Sequence, residues 1–246
     1  MRILGIDAAT RTASVALIED EAAIDEQRSD KRHLVNAGAS NSVGNCAEII
    51  VPLINSLFEK NHLTPADLST IAVSIGPGSF TGLRVGLATA KGIAYSGGLP
   101  LIGISTLLAL AAGVKDFDGI ICSLLDARKN DVYVGLFQRA GKILLRLTDD
   151  ALLPIDRAIE DARAHQEQTG AALVRVIGDA GEVHKQKLLS ALEGKLVLNS
   201  DHDHPSIAAE VALLARERLL RESLDDLGSL VPVYLRRPEA EVKKCV

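Results

Sequence analysis

The stretch with the clearest chemical potential is a glycine-rich segment in the first half of the chain, residues 74–94, which reads SIGPGSFTGLRVGLATAKGIA. A β-branched run leads into Gly76-Pro77-Gly78, and this punctuation is typical of a turn that joins a strand to a helix. Because backbone N–H groups at the start of a helix attract anions, the turn is a candidate phosphate- or nucleotide-facing site. Its candidate residues are Gly76, Gly78, Ser79 and Thr81.

Two interpretations of this turn stay open. The P-loop motif requires a lysine after its second glycine, and the dinucleotide fingerprint requires a third glycine where Thr81 stands, so neither motif fits. The alternative is a tight turn with a structural role only, in which glycine permits close backbone approach. Since no neighbouring feature supplies a base for Ser79 or Thr81, we do not predict nucleophilic catalysis.

A further candidate is Asp7, which ends a buried strand and precedes the polar turn of residues 8–12. Either its carboxylate organises a magnesium-bound water beside a phosphate, or it caps the turn at the end of the strand. The turn contains no glycine, and its Cβ atoms hinder the close approach of a phosphate. We therefore predict a vestigial site at Asp7.

The second half of the chain repeats the pattern around Asp7. Aligning Asp7 with Asp126 at a constant offset also superposes Val15 on Val134, and both segments have the pattern of strand, aspartate-containing turn and strand. An internal duplication is the simplest interpretation. It places the two aspartates in equivalent turns.

Metal-ligating residues are sparse. His202 and His204, flanked by aspartates, lie two residues apart, and a solvated polar turn explains them better than a metal site. Cys46, Cys122 and Cys245 are far apart and have no paired metal-ligand spacing, which suits a reducing compartment. We expect no metal site in this chain.

Composition limits the classes of function. The 246 residues are 47% apolar, which is enough for one large domain or two small lobes, and the formal net charge is −5. Without a long basic run, the chain is a poor candidate for gripping a nucleic-acid backbone alone. No apolar segment is long enough for a leader or a membrane span, so we expect no membrane association and a cytoplasmic location.

The elements that position these residues alternate between strands and helices. Strands are predicted at 2–7, 13–18 and near 22–28, followed by a loop at 29–45, a helix at 46–58, a strand from Ile71, a helix after the glycine turn and a strand at 101–105. Later elements are helices at 152–164 and 206–221 and strands at 173–177 and 196–198. The first half has the order β-β-β-α-β-α-β, which predicts an α/β fold.

The helix after the glycine turn carries Gly82, Gly86, Ala90 and Ala94 at every fourth position, so one side of it has almost no side-chain bulk. Such a helix packs very closely against a neighbour. That neighbour is either the chain's own sheet or a partner protein, and one helix can do both on opposite faces.

Four segments together resemble the TsaB (YeaZ) family, within the wider TsaD/TsaB (glycoprotease-like, M22) family: ILGIDAATRTASVAL, SIGPGSFTGLRVGLATAKGIA, LLDARKNDVYVGLF and VPVYLR. The resemblance implies an actin/Hsp70/sugar-kinase-like (ASKHA) fold of two ribonuclease-H-like lobes. The lobes would span 1–105 and 106–231, with the late helix 206–221 either in the second lobe or packed back on the first, and with a tail at 232–246.

The resemblance also implies a function in tRNA modification. The chain would be a non-catalytic subunit for threonylcarbamoyladenosine formation that pairs with and activates the catalyst TsaD, with TsaE as third component, and that forms a homodimer when alone. It would require no cofactor itself, since ATP and a divalent metal would bind to the partners, and tRNA would be reached mainly through the complex. TsaD-like catalysts bind metal through two histidines four residues apart, and this sequence has no such pair.

The family's pairing surface lies on helices of the first lobe. Carried over to this chain, it comprises Ile49, Leu53, Gly82, Arg84, Val85, Gly86, Ala88, Thr89 and Ala90. One departure concerns the start of the first helix, where members often have His-Ser and this chain has Asn45-Cys46. The alternative function is an independent ATP-dependent phosphotransferase of the sugar-kinase-like superfamily, with Asp7 as the magnesium organiser and the loop 76–82 at the phosphate.

Overall fold

The computed structural model describes residues 1–19, 33–39, 46–198 and 206–236. The chain divides into two compact units. The first comprises Met1–Ala109 and Pro205–Pro232, and the second comprises Leu110–His204 and Val233–Val246.

The first unit contains a five-stranded sheet of order β3-β2-β1-β4-β5. Its strands are β1 (Arg2–Asp7), β2 (Ser14–Glu19), β3 (His33–Ala39), β4 (Thr70–Gly76) and β5 (Leu101–Ser105). Strands β1, β2 and β3 pair antiparallel, whereas β4 runs parallel to both β1 and β5. The central strands are buried almost throughout, which matches their continuous apolar runs.

Helices cover both faces of this sheet. On one face, α1 (Cys46–Asn61) and α2 (Phe80–Gly97) enclose a core that includes Leu4, Ile6 and Val73. On the other face, α7 (Ile207–Leu220) packs against Ile3, Ala72 and Ile102. The late helix thus packs on the first sheet.

One predicted loop contains a strand. Residues 33–39 form β3, which pairs antiparallel with β2 at the edge of the first sheet, so the prediction of a loop across 29–45 was wrong there. The segment has no clear apolar alternation, and its strand structure comes from pairing with the β2 edge rather than from its own pattern. The strand predicted near 22–28 lies outside the described residues.

The second unit contains a six-stranded sheet of order β11-β10-β6-β7-β8, with β9 paired to β7. Its strands are β6 (Gly119–Asp126), β7 (Asp131–Ala140), β8 (Ile143–Arg146), β9 (Ala151–Pro154), β10 (Val174–Ile177) and β11 (Leu196–Leu198). Its α-helices are α4 (Ile155–Thr169), α5 (Ala180–Val183) and α6 (Lys185–Ala191), and the division between the units falls within α3 (Thr106–Gly113). A short 3-10 helix, Pro65–Asp67, belongs to the first unit. The short elements α5, α6, β8 and β9 carry too little periodicity to be predicted from the sequence.

The two sheets share one topology. If β9, which pairs beside the main path of the second sheet, is left out of the count, the strands of both units have the order 3-2-1-4-5. In both, the first hairpin pairs antiparallel and the strands beyond it pair parallel. The predicted α/β, ASKHA-type fold of two ribonuclease-H-like units is thereby confirmed.

The strand pairing shows which residues of the two units are equivalent. In the first strand, this equivalence differs by one residue from the alignment of Asp7 with Asp126. Ile6 pairs with Val15 and Leu124 pairs with Val134, and all four residues belong to the cores beneath the helices that follow each hairpin. Leu124 is therefore the counterpart of Ile6. Because side chains alternate along a strand, Asp7 and Asp126 lie on opposite faces of their sheets.

Candidate functional site

Asp7 is held by hydrogen bonds from its own unit and has no exposed surface. The hydroxyl of Ser74, on the neighbouring strand β4, and the backbone N–H of Ala9, at 3.1 Å, both donate to its Oδ1. The hydroxyl of Thr10 donates to its Oδ2 at 2.8 Å. Both carboxylate oxygens are thus engaged in closing the turn that follows β1.

Burial governs the electrostatics of this carboxylate. Desolvation raises the pKa of Asp7 above the ordinary 3.8, and hydrogen bonds from Ser74, Thr10 and Ala9 oppose that rise. A magnesium-bound water needs an accessible carboxylate oxygen, and the described surroundings offer none at Asp7. The capping interpretation of this residue is the one that fits its contacts.

The glycine turn is packed directly on the Asp7 turn. A Cβ built on Gly78 would lie 2.3 Å from the carbonyl oxygen of Ala9, and one built on Gly82 would lie 1.8 Å from that of Ala8. The backbone N–H of Ser79 donates to the same Ala9 carbonyl at 2.7 Å. Glycine is therefore needed at both positions so that the two turns can lie in contact. This contact agrees with the interpretation of the segment as a turn with a structural role.

The start of α2 is also closed by local hydrogen bonds. The Ser79 hydroxyl accepts from the backbone N–H of Gly82 at 3.3 Å and so caps the helix. Gly76 is buried at the end of β4, with φ at 117°, in the region that favours glycine. Ser79 and Thr81 are exposed whereas Asp7 is fully buried, so these residues, which the sequence grouped with Asp7, lie close to its turn but in a different environment.

Helix α2 presents two different faces. Gly82, Gly86 and Ala90 are buried by the chain itself, whereas Arg84 and Ala88 are exposed. Val85 and Thr89 are half-buried, as are Ile49 and Leu53 of α1. The residues expected at the pairing surface therefore divide between the two faces, because the small-residue stripe is occupied by the Asp7 turn and the sheet.

Helices α1 and α2 both carry large exposed side chains outside the set of residues predicted for the pairing surface. Tyr95 is 80% exposed, Val51 47% and Phe80 38%. The guanidinium of Arg84 lies over the Phe80 ring, 4.0 Å from its centroid. Val51 and Tyr95 lie off the apolar stripes of their helices, and this position in the sequence is the signal that could have predicted their exposure.

The turn after β6 differs from the Asp7 turn. The backbone N–H of Asp126 donates to Asp179 at 2.9 Å, and the Asp126 carboxylate accepts from the backbone N–H of Arg128 at 2.9 Å. Arg128, Lys129 and Asn130 follow with φ of 65°, 55° and 66°. Asp126 thus closes a left-handed turn with its own contacts.

Other chemistry finds little support in the described part of the chain. Within it, no group of three or more histidine, cysteine, aspartate or glutamate residues is placed to hold a metal ion, and His202 and His204 lie outside it. Burial raises the pKa of the Cys122 thiol to about 12, which makes it a poor nucleophile. Among the described helices none has the length and apolarity to cross a membrane.

Comparisons with a family model and with individual proteins place this chain in the same family. The family model of TsaD, tRNA N6-adenosine threonylcarbamoyltransferase, matches residues 42–244. The tRNA threonylcarbamoyladenosine biosynthesis protein TsaB of Bacillus subtilis is 32% identical over 99% of this chain and 97% of its own length. The TsaB of Escherichia coli is 35% identical over 56% of each chain.

A solved structure shares the fold. YeaZ from Pseudomonas aeruginosa superposes with a TM-score of 0.75 over 95% of this chain and 99% of that one, at 22% identity. The likeness at this identity concerns the fold.

Proposed function

The chain belongs to the TsaB branch of the TsaD family, and from this premise we propose that it is a non-catalytic subunit of the complex that forms threonylcarbamoyladenosine on tRNA. In this proposal it pairs with and activates TsaD in the cytoplasm, and TsaE joins as third component. The observation that best supports this proposal is the match to TsaB of Bacillus subtilis along nearly the whole of both chains. A role in tRNA threonylcarbamoyladenosine biosynthesis follows from that relationship.

The environment of Asp7 supports a non-catalytic role. A phosphotransferase of this fold class would need a carboxylate that reaches a metal ion and a turn whose N–H groups approach a phosphate. Here the carboxylate is fully buried, and the carbonyl groups of Ala8 and Ala9 occupy the space beside Gly82 and Gly78. The subunit accordingly requires no cofactor of its own, and ATP and the divalent metal are assigned to the partners.

The exposed face of α1 and α2 supports pairing. Phe80, Arg84, Ala88 and Tyr95 are exposed and lie on one side of α2 by helical spacing, and the small side chain of Ala88 permits a partner to approach there. Aromatic and arginine side chains are enriched at the centres of protein interfaces, and Arg84 stacked on Phe80 supplies both. We assign this face to TsaD, with a second copy of this chain as its occupant when TsaD is absent.

The overall charge is consistent with an indirect contact to tRNA. The chain has 27 basic and 32 acidic residues, and a net negative protein gains little from counterion release on a phosphate backbone. tRNA would therefore be held mainly by other members of the complex.

The test combines assembly with activity. The chain, TsaD and TsaE from one organism are purified, and light scattering gives the mass of this chain alone and after mixing with TsaD. Threonylcarbamoylation of tRNA is followed in the same samples with ATP and the threonylcarbamoyl-adenylate donor. We expect a heterodimer, with modification only when all three proteins are present.

The contradicting result is equally specific. ATP turnover by this chain alone, abolished in Asp7→Asn and accompanied by no association with TsaD, would establish the phosphotransferase instead. Because Asp7→Asn replaces one acceptor oxygen with a donor, cooperative unfolding of the variant is the control that attributes loss of turnover to the carboxylate charge.

A further inference from the structure

The outer edge of strand β5 is covered by an ion pair instead of a sixth strand. Strand β5 is the last strand of the first sheet, so the backbone groups on its free side need partners. The carboxylate of Asp225 accepts from the backbone N–H of Gly103 at 2.8 Å. The guanidinium of Arg218 donates to the carbonyl oxygen of Gly103, also at 2.8 Å.

The two covering side chains are joined in a bidentate pair. Nη1 and Nη2 of Arg218 each lie 3.0 Å from a different oxygen of Asp225. In addition, the backbone N–H of Asp225 donates to the carbonyl oxygen of Leu101 at 3.4 Å, which forms an isolated antiparallel bridge. The pair thus presents to Gly103 the acceptor and donor that a neighbouring strand would present.

The segment 223–230, called here the edge strap, is also held by contacts that do not involve the Arg218–Asp225 pair. Leu227 and Leu230 pack against the core beneath α2, and the ammonium of Lys91 donates to the carbonyl oxygen of Gly228 at 3.3 Å. A Cβ on Gly103 would lie 3.2 Å from the Leu230 side chain, so the strap sits close on the strand.

The sequence of β5 is well suited to pairing with itself. Leu101-Ile102-Gly103-Ile104-Ser105 contains no charged residue, and antiparallel pairing centred on Gly103 places Ile102 opposite Ile104. No charged pair is created at any position. An uncharged strand of this kind with a free edge is the type that associates edge to edge.

We propose that the Arg218–Asp225 pair is a surrogate strand that keeps β5 from pairing with the β5 of a second copy of this chain. When the pair is lost, the backbone N–H and carbonyl of Gly103 lose their partners, and two copies join through their β5 strands into one continuous sheet. This inference is independent of the function proposed above, because it concerns the edge of the sheet and not the exposed face of α1 and α2.

The test uses Asp225→Ala in the full chain, with Ala88→Arg present in every sample to block association through α2. The matched control is Asp226→Ala, since that neighbouring carboxylate accepts from Ser229 and Gly228 within the strap rather than from Gly103 of β5. Light scattering over a concentration series gives the mass, and hydrogen exchange gives the protection of the β5 amides. If Asp225→Ala does not fold, Arg218→Met serves, because it removes the donor to the Gly103 carbonyl and keeps Asp225.

We expect the mass of Asp225→Ala to rise toward twice that of the monomer as concentration increases, while Asp226→Ala stays monomeric. In dilute Asp225→Ala the Gly103 amide should exchange at least about tenfold faster, and protection should return with concentration. A folded variant of constant monomer mass, or one with unchanged Gly103 protection, would overturn the proposal.

Discussion

Gly82 lies directly against the carbonyl oxygen of Ala8, so closely that a Cβ on Gly82 would stand 1.8 Å from that oxygen. This contact joins the start of α2 to the turn after β1 and fixes which face of α2 is buried. The opposite face, with Ala88, is left exposed.

Replacing Gly82 with alanine should destabilise the fold by about 3 kcal/mol or more, because backbone on both sides of the contact has to move. Gly92, in the same helix, has nothing within 4 Å of a built Cβ. Gly92→Ala should therefore be neutral or stabilise the helix by up to about 1 kcal/mol. Urea denaturation of both variants measures the difference, and equal stabilities would refute the packing role of Gly82.

The buried carboxylate of Asp7 should make stability depend on pH. Its folded pKa lies above the 3.8 of an ordinary aspartate because of burial. Between the unfolded and folded values the folded chain binds more protons, so stability falls as pH rises through that window. Relative to Asp7→Asn, the wild-type free energy of unfolding should fall by at most about 1.4 kcal/mol per pH unit and then level off.

Asp67 provides a control of opposite sign. Hydrogen bonds from the side chain and the backbone of Thr64 lower the pKa of this exposed carboxyl below 3.8. Its stabilising contribution is present above the unfolded pKa and is lost as pH falls through the folded value, so Asp67→Asn should differ from the wild type only above that range.

Urea titrations at several pH values measure the free energy of unfolding of both variants, Asp7→Asn and Asp67→Asn. Parallel pH profiles for wild type and Asp7→Asn would show that the Asp7 carboxyl titrates alike in both states.

Cys122 should be inert toward thiol reagents until the second unit opens. It is 2% exposed, and burial raises the pKa of its thiol to about 12, so almost no thiolate is present at neutral pH. Alkylation of Cys122, followed by peptide mass spectrometry so that other cysteines do not interfere, should occur only as denaturant is added. Rapid labelling of Cys122 in the native chain would contradict this burial.

The exposed face of α2 should determine binding to TsaD. Ala88→Arg places a long charged side chain on that face, and Arg84→Glu reverses the charge beside Phe80. Each should weaken the heterodimer by about tenfold or more, with cooperative unfolding retained. Calorimetry measures the affinity.

The matched control is Ala191→Arg, the same substitution at an exposed position at the end of α6. It should leave binding to TsaD unchanged. If both α2 variants bind as tightly as the wild type, the pairing surface lies elsewhere on the chain.

Much of the fold was predictable from the sequence because it depends on local patterns. The stripe from Ile49 to Phe58 identified α1, and the glycine turn marked the boundary between β4 and α2. Strand β3 was missed, since its order comes from an edge of β2 that is distant in the sequence. The register of the duplication was misplaced by one residue in the first strand, because the alignment followed the two aspartates and the largely apolar run before Asp126 fits either register.

The sequence by itself determined the alternation of strands and helices, the repeated hairpin and the motifs that identify the family. Only the tertiary structure decided that Ala8 and Ala9 occupy the space beside Gly82 and Gly78, and that Arg218 and Asp225 cover Gly103. The physical reason is that periodicity is set by neighbours within a few residues, whereas these contacts join residues about seventy or more than one hundred positions apart. Their partners depend on how the whole sheet assembles, and no local pattern encodes that.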